Sequence, residues 1–150
     1  MSEQNIMLDQ EMQKKYWKKN YIWTALVLVA AAVYFIFSSP GVSLAYGETE
    51  LQVTAPDRVV TVVPYADLTE VMFAEDPDYG SAVQGGEKSG CHFGTWENSA
   101  WGTYYLCVYQ NTDCCIILML QSGATVVINA SSRTDTETLY EGILEKMSTQ

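Results

Sequence analysis

The sequence predicts a mainly β domain closed by a C-terminal α-helix and preceded by one N-terminal transmembrane helix. Three observations lead there. Residues 21–39 are apolar and carry no charge. Residues 51–129 break into short β-branched and aromatic runs separated by turn residues. From Ser132 onward the apolar spacing changes from period two to the helical period. The expected organisation is a cytoplasmic basic leader over 1–20, a transmembrane signal anchor over 21–39, a linker over 40–47 and the β domain over 48–148.

Charge divides along the same lines. The 150 residues hold 8 basic and 18 acidic side chains, a net −10. Residues 46–150 alone hold 4 basic against 15 acidic, or −11. Nucleic acid is excluded as a partner, because backbone binding needs clustered Lys and Arg to replace counterions. A hydrophobic content of 48% excludes a disordered chain.

The apolar segment comes first. Thr24 is the only plainly polar residue from Tyr21 to Phe37. Carried to Ser39, such a helix spans roughly 28 Å, close to the hydrocarbon thickness of a bilayer. Pro40-Gly41 supplies a stop. Trp17, Tyr21 and Trp23 suit the headgroup region as interface anchors, with Tyr34, Phe35 and Phe37 near the other end. Lys14, Lys15, Lys18 and Lys19 precede the segment, and the next basic residue is Arg58. The positive-inside rule then puts the N-terminus in the cytoplasm and the acidic domain outside a cell membrane. The competing reading is secretion after cleavage following Ala45, since Ser43-Leu44-Ala45 has the small-x-Ala pattern.

The domain reads as about seven strands. Leu51–Thr54 alternates before the Pro56-Asp57 turn, and Val59–Val63 is a β-branched run that Pro64 ends. Val71–Phe73 is a third strand, followed by a long loop from Glu75 to Gly90. Cys91–Trp96 and Trp101–Gln110 form a hairpin, and turns at Asn111–Asp113 and Ser122-Gly123 bracket Cys114–Leu120 and Thr125–Asn129. Ser132 with Asp135 resembles a capping box, and Leu139, Tyr140, Ile143, Leu144 and Met147 form one apolar stripe of about four turns. That helix is expected to plug the open end of a curved sheet or barrel.

This order of elements resembles the pleckstrin-homology-like (PH-like) fold, and more narrowly the small bacterial PH-like domains attached to membrane segments. The likeness rests on Val62-Val63-Pro64-Tyr65-Ala66-Asp67-Leu68, on Gly90-Cys91-His92-Phe93-Gly94 followed by Trp101-Gly102-Thr103-Tyr104-Tyr105-Leu106, and on Thr125-Val126-Val127-Ile128-Asn129 before the helix. It implies a PH-like barrel or curved sheet with no assigned chemistry. Phosphoinositide binding, the activity most often linked to that fold, needs several basic residues at the first hairpin. Here the turn is Ala55-Pro56-Asp57-Arg58 in a domain of net −11, so no phosphoinositide is expected.

Other constellations are weak. Cys91 and Cys107 fall nearly opposite in the expected hairpin and form a candidate disulfide. Cys114 and Cys115 point to opposite faces. A zinc site from Cys91, His92, Cys107 and Cys114 lacks any C-x-x-C spacing, and His92 is the only histidine. No enzyme, metal or cofactor is expected. Glu75-Asp76-Pro77-Asp78 lacks the spacing of a calcium loop. Asn129-Ala130-Ser131 matches a glycosylation sequon at a strand end.

The aromatic concentration is more informative. Thr103, Tyr105, Cys107 and Tyr109 share one strand face, and Tyr104, Leu106 and Val108 the other. The second set suits the core, which makes Tyr105 and Tyr109 a candidate partner surface, with burial of both under a loop the competing reading. The functional expectation is a protein-binding or assembly module anchored in the lipid bilayer. A ligand-sensing domain and a Cys-dependent enzyme are the alternatives.

Overall fold

The computed structural model describes residues 21–29 and 41–149. Residues 21–29 are helical (α1), with Ile22, Leu26 and Val29 each at least 57% exposed. Among the described residues no helix is long and apolar enough to cross a membrane. The rest of the expected span, the leader with its four lysines, and Trp17 lie outside the described residues.

The β domain holds nine strands among the described residues: β1 (Ser43–Tyr46), β2 (Glu50–Thr54), β3 (Val60–Pro64), β4 (Leu68–Glu75), β5 (Ser81–Lys88), β6 (Cys91–Asn98), β7 (Gly102–Tyr109), β8 (Cys114–Leu120) and β9 (Thr125–Ile128). A single 3-10 turn, Tyr65–Asp67, joins β3 to β4, and helix α2 (Arg133–Ser148) ends the domain. The fold is thus mainly β with a C-terminal helix, as expected.

Two strands appear where none was expected. Residues 40–47 supply β1 instead of a linker: Leu44 stands opposite Val53 and packs against the core, and Val42 is buried. The expected loop from Glu75 to Gly90 contains β5, which has almost no buried residue. Its run lacks an apolar face, so periodicity could not reveal it. Pairing with β6 makes it a strand, through a two-residue turn in which Ser89 (φ 54°) and Gly90 (φ 71°) are both left-handed. That is the backbone a tight hairpin needs.

The strands form a three-stranded sheet, β1-β2-β3, and a six-stranded sheet, β4-β8-β9-β7-β6-β5. After β7 the chain skips one position, returns as β8, and fills the gap with β9, which runs parallel to β7 and antiparallel to β8. The central strands of the large sheet carry buried apolar residues on both faces. One face carries Phe93, Cys107, Ile116 and Ile128, and packs with Leu51, Val53 and Val63 of the small sheet and Ile143 of α2. The other face carries Trp96, Tyr104, Leu106, Val108 and Ile117 in a second cluster capped by Tyr79 and Trp101. Strand β8 has both sides in apolar surroundings, and Cys114 to Leu118 are at most 3% exposed.

Helix α2 starts as the sequence predicts. The Ser132 hydroxyl accepts from the Asp135 N–H at 3.2 Å and donates to its carboxylate at 2.7 Å. Arg133 ties the first turn to Glu75 at 2.7 Å and Asp113 at 3.3 Å. At the other end Lys146 reaches Glu48 at 2.9 Å, and the Tyr46 hydroxyl donates to the Gly142 carbonyl.

Candidate protein-binding groove

The register of β2 and β3 determines which backbone groups of β3 are free. The Ala55 N–H donates to the Val59 carbonyl at 2.9 Å, and the Tyr65 N–H donates to the Thr49 carbonyl at 3.0 Å. Hydrogen-bonded pairs alternate along an antiparallel ladder. Odd-numbered residues of β3 therefore bond inward to β2, while Val60 and Val62 turn their N–H and C=O groups toward the open edge. The same two side chains lie on the outer face, 52% and 45% exposed, while Val63 is fully buried.

Edge strands are usually guarded against pairing with another chain. In this domain β1 is only four residues long. Strand β4 has a register shift between Leu68 and Glu70, with Glu70 exposed. Strand β5 has a bulge between Ala82 and Gln84, the glycines 85 and 86, and the charges of Glu87 and Lys88. Strand β3 has no bulge, no charge and no proline before its last residue. It is the unguarded edge among the described strands.

At the turn that enters β3 lies a groove of about 270 Å³ lined by Asp57, Val59, Gln84, Gly85, Gly94, Thr95 and Tyr105. Its floor depends on two facing glycines. Gly85 and Gly94 stand opposite each other in the β5–β6 ladder, with φ of 105° and 103°. A Cβ on Gly85 would lie 2.3 Å from the Phe93 carbonyl oxygen, and one on Gly94 would lie 2.2 Å from that of Gln84. Only glycine permits this kink and this close approach. The Asp57 carboxylate accepts from the Val59 N–H at 3.0 Å, closing the turn that leads into β3.

The sequence-derived candidates fall as follows. Tyr105 and Tyr109 share a face with Cys107, as the alternation predicts, and both are half-buried against the main core. The Tyr109 hydroxyl donates to the Val42 carbonyl at 2.7 Å. The Tyr105 ring lines the groove, and burial raises its pKa. All four cysteines are buried free thiols. Cys91 stands opposite Tyr109 and Cys107 opposite Phe93, so this pair is diagonal across the hairpin and not directly opposite. Burial pushes Cys107 and Cys115 each up to about 12 and raises Cys91 and Cys114. Burial thus favours the protonated thiol at each of the four positions. Tyr21 and Trp23 lie exposed on α1.

His92 stands opposite Glu87, with Nδ1 at 3.2 Å from the carboxylate, and packs edge-on to Trp96 at 4.9 Å. No group of three or more His, Cys, Asp or Glu side chains suited to a metal ion occurs among the described residues. The free edge at Val60 and Val62 and the paired glycines were not among the sequence candidates. The signals for them are the uncharged β-branched run before Pro64 and the glycines spaced across a Ser-Gly turn.

No protein-family model, curated protein or solved structure matches this chain.

Proposed function

We propose that this chain is a single-pass membrane protein whose exported β domain binds a partner protein by strand addition. The observation that carries the reading is the edge of β3, where Val60 and Val62 offer outward backbone groups and exposed apolar side chains with none of the usual guards. The groove at the turn that enters β3, about 270 Å³, falls below the usual range of small-molecule pockets, roughly 300–1,000 Å³. That favours a chain segment over an enclosed ligand.

Retention of the anchor is supported by β1. Cleavage after Ala45 would remove Val42 and Leu44 from the core and break the bond from Tyr109 to Val42. The PH-like assignment is supported by two sheets followed by a C-terminal helix packed on the core, and it has to accommodate the parallel β7–β9 pair.

The test of binding is a photocrosslinker placed at Val60 of the full chain in native membranes. It should yield a discrete adduct that the Val62→Pro variant loses. Proline removes only an outward N–H here, so the β2–β3 ladder stays intact. An adduct unchanged in Val62→Pro would overturn strand addition. Topology has its own test: protease added to intact cells should digest the β domain, and complete protection there would reverse the orientation.

A further inference from the structure

The one charged residue that lines the groove is acidic. Asp57 lines the groove at the entry to β3. Glu97 follows Thr95, another lining residue, by two positions on β6, so the two side chains share a face. The register sets Glu97 opposite Thr103 just as Thr95 stands opposite Tyr105. Glu97 is exposed, and neither it nor Asp57 is ion-paired among the described residues. The one basic residue of the turn is Arg58, next to Asp57. Of the other three basic residues in 46–150, Arg133 and Lys146 are already paired on α2, and Lys88 closes the far end of β5.

Strand β3 itself has no charge between Val59 and Pro64. The surroundings are acidic, at −11 over residues 46–150. A second copy of this domain would bring the same acidic surroundings to the same edge. A basic segment is attracted by these surroundings and finds two carboxylates outside any ion pair among the described residues, with Asp57 also accepting from the Val59 N–H. We infer that the groove takes an extended, cationic segment of a partner protein, which pairs with Val60 and Val62 and sets Lys or Arg side chains against Asp57 and Glu97. This rests on the strand-addition reading and adds the chemistry of the partner.

The geometry assigns separate roles to the two faces of the incoming strand. Side chains alternate between faces of an added strand. One set lies beside the exposed Val60 and Val62 and is apolar or β-branched. The other set turns toward the groove and carries the positive charge. An alternating basic and β-branched sequence meets both demands.

The test uses the full chain in detergent micelles and two heptapeptide probes, one alternating lysine with valine and the other alternating glutamate with valine. Fluorescence anisotropy should show the lysine peptide binding at least about tenfold more tightly than the glutamate peptide. The double variant Asp57→Asn, Glu97→Gln should weaken the lysine peptide about fivefold and flatten its salt dependence. Asn keeps the oxygen that accepts from the Val59 N–H, so the turn survives. Melting curves that match the parent confirm that each variant is folded. Lysine-peptide binding that Val62→Pro abolishes but the double variant leaves unchanged would overturn the cationic inference and leave strand addition standing. Binding indifferent to both variants would overturn both. Equal affinity for the two peptides would also overturn the inference, as would self-association at Val62 in place of peptide binding.

Discussion

The side chain of Asn129 pairs with the backbone of Tyr109 as a neighbouring strand would. Its Oδ1 accepts from the Tyr109 N–H at 2.6 Å, and its Nδ2 donates to the Tyr109 carbonyl at 3.1 Å. The same amide donates to the Cys114 carbonyl at 3.1 Å. One buried residue at the end of β9 thereby satisfies the last residue of β7 and the first of β8, where the parallel ladder runs out.

Replacing Asn129 with Ala leaves a backbone N–H and two carbonyls without these partners in the interior. The expected loss is about 2–3 kcal/mol, read as a shifted urea midpoint at unchanged slope. Asn129→Asp should cost at least as much, because a carboxylate cannot donate to either carbonyl. The sequon at Asn129 should also stay unmodified in the folded domain, since its amide is fully buried and both sides of it are engaged. Mass spectrometry of the chain exposed to a glycosylating system would decide this.

The contribution of β1 can be measured through Tyr109. The Tyr109→Phe variant loses the bond to the Val42 carbonyl and should lose about 1 kcal/mol. Pro replacing Leu44 attacks the strand itself and should cost more. If both variants melt with the parent, β1 is not part of the stable domain and the argument for an uncleaved anchor fails.

Stability should fall in alkali. Cys107 and Cys115 are each held at about 12, mainly by desolvation, and burial likewise puts Tyr65 and Tyr104 at about 12. Unfolded thiols ionise near about 8.5 and unfolded tyrosines near about 10. Above those values the unfolded chain binds fewer protons than the folded one, so stability decreases as pH rises. The contribution is complete below about pH 8 and is lost progressively toward about pH 12. Urea midpoints measured under reducing conditions should be flat between about pH 7 and 8 and drop above about pH 9. A Cys107→Ala variant should show a shallower drop.

The glycine pair makes a sharp comparison. Gly94→Ala places a Cβ 2.2 Å from the Gln84 carbonyl oxygen at a φ of 103°. It should cost roughly 2–3 kcal/mol and distort the groove floor. Gly86→Ala has no atom within 4 Å of the new Cβ and should cost less, through backbone strain alone. Equal costs at the two positions would mean that the close approach of β5 to β6 is not needed.

Local pattern was enough to define much of this domain. The strands β2, β3, β4, β6, β7, β8 and β9 each show an alternating, apolar or β-branched run near turn residues, and the Ser132 cap with its apolar stripe defines α2. These signals depend on neighbours within a turn or a strand, so a single sequence carries them. The uncharged segment and its lysine flank are likewise local, and with them the expected topology.

What tertiary structure decided is the partner of each strand. Strand β5 has no apolar face and exists through its hairpin with β6. Strand β1 lies in a stretch that reads as linker until Val53 is placed opposite Leu44. The burial of Tyr105 and Tyr109 follows from packing against the main core, and the diagonal placing of Cys91 and Cys107 from the β6–β7 register. The free edge at Val60 and Val62 depends on which residues of β3 bond to β2, a matter of pairing parity. Period two tells which face a side chain takes. Only the register with another strand tells which backbone groups are left for a partner.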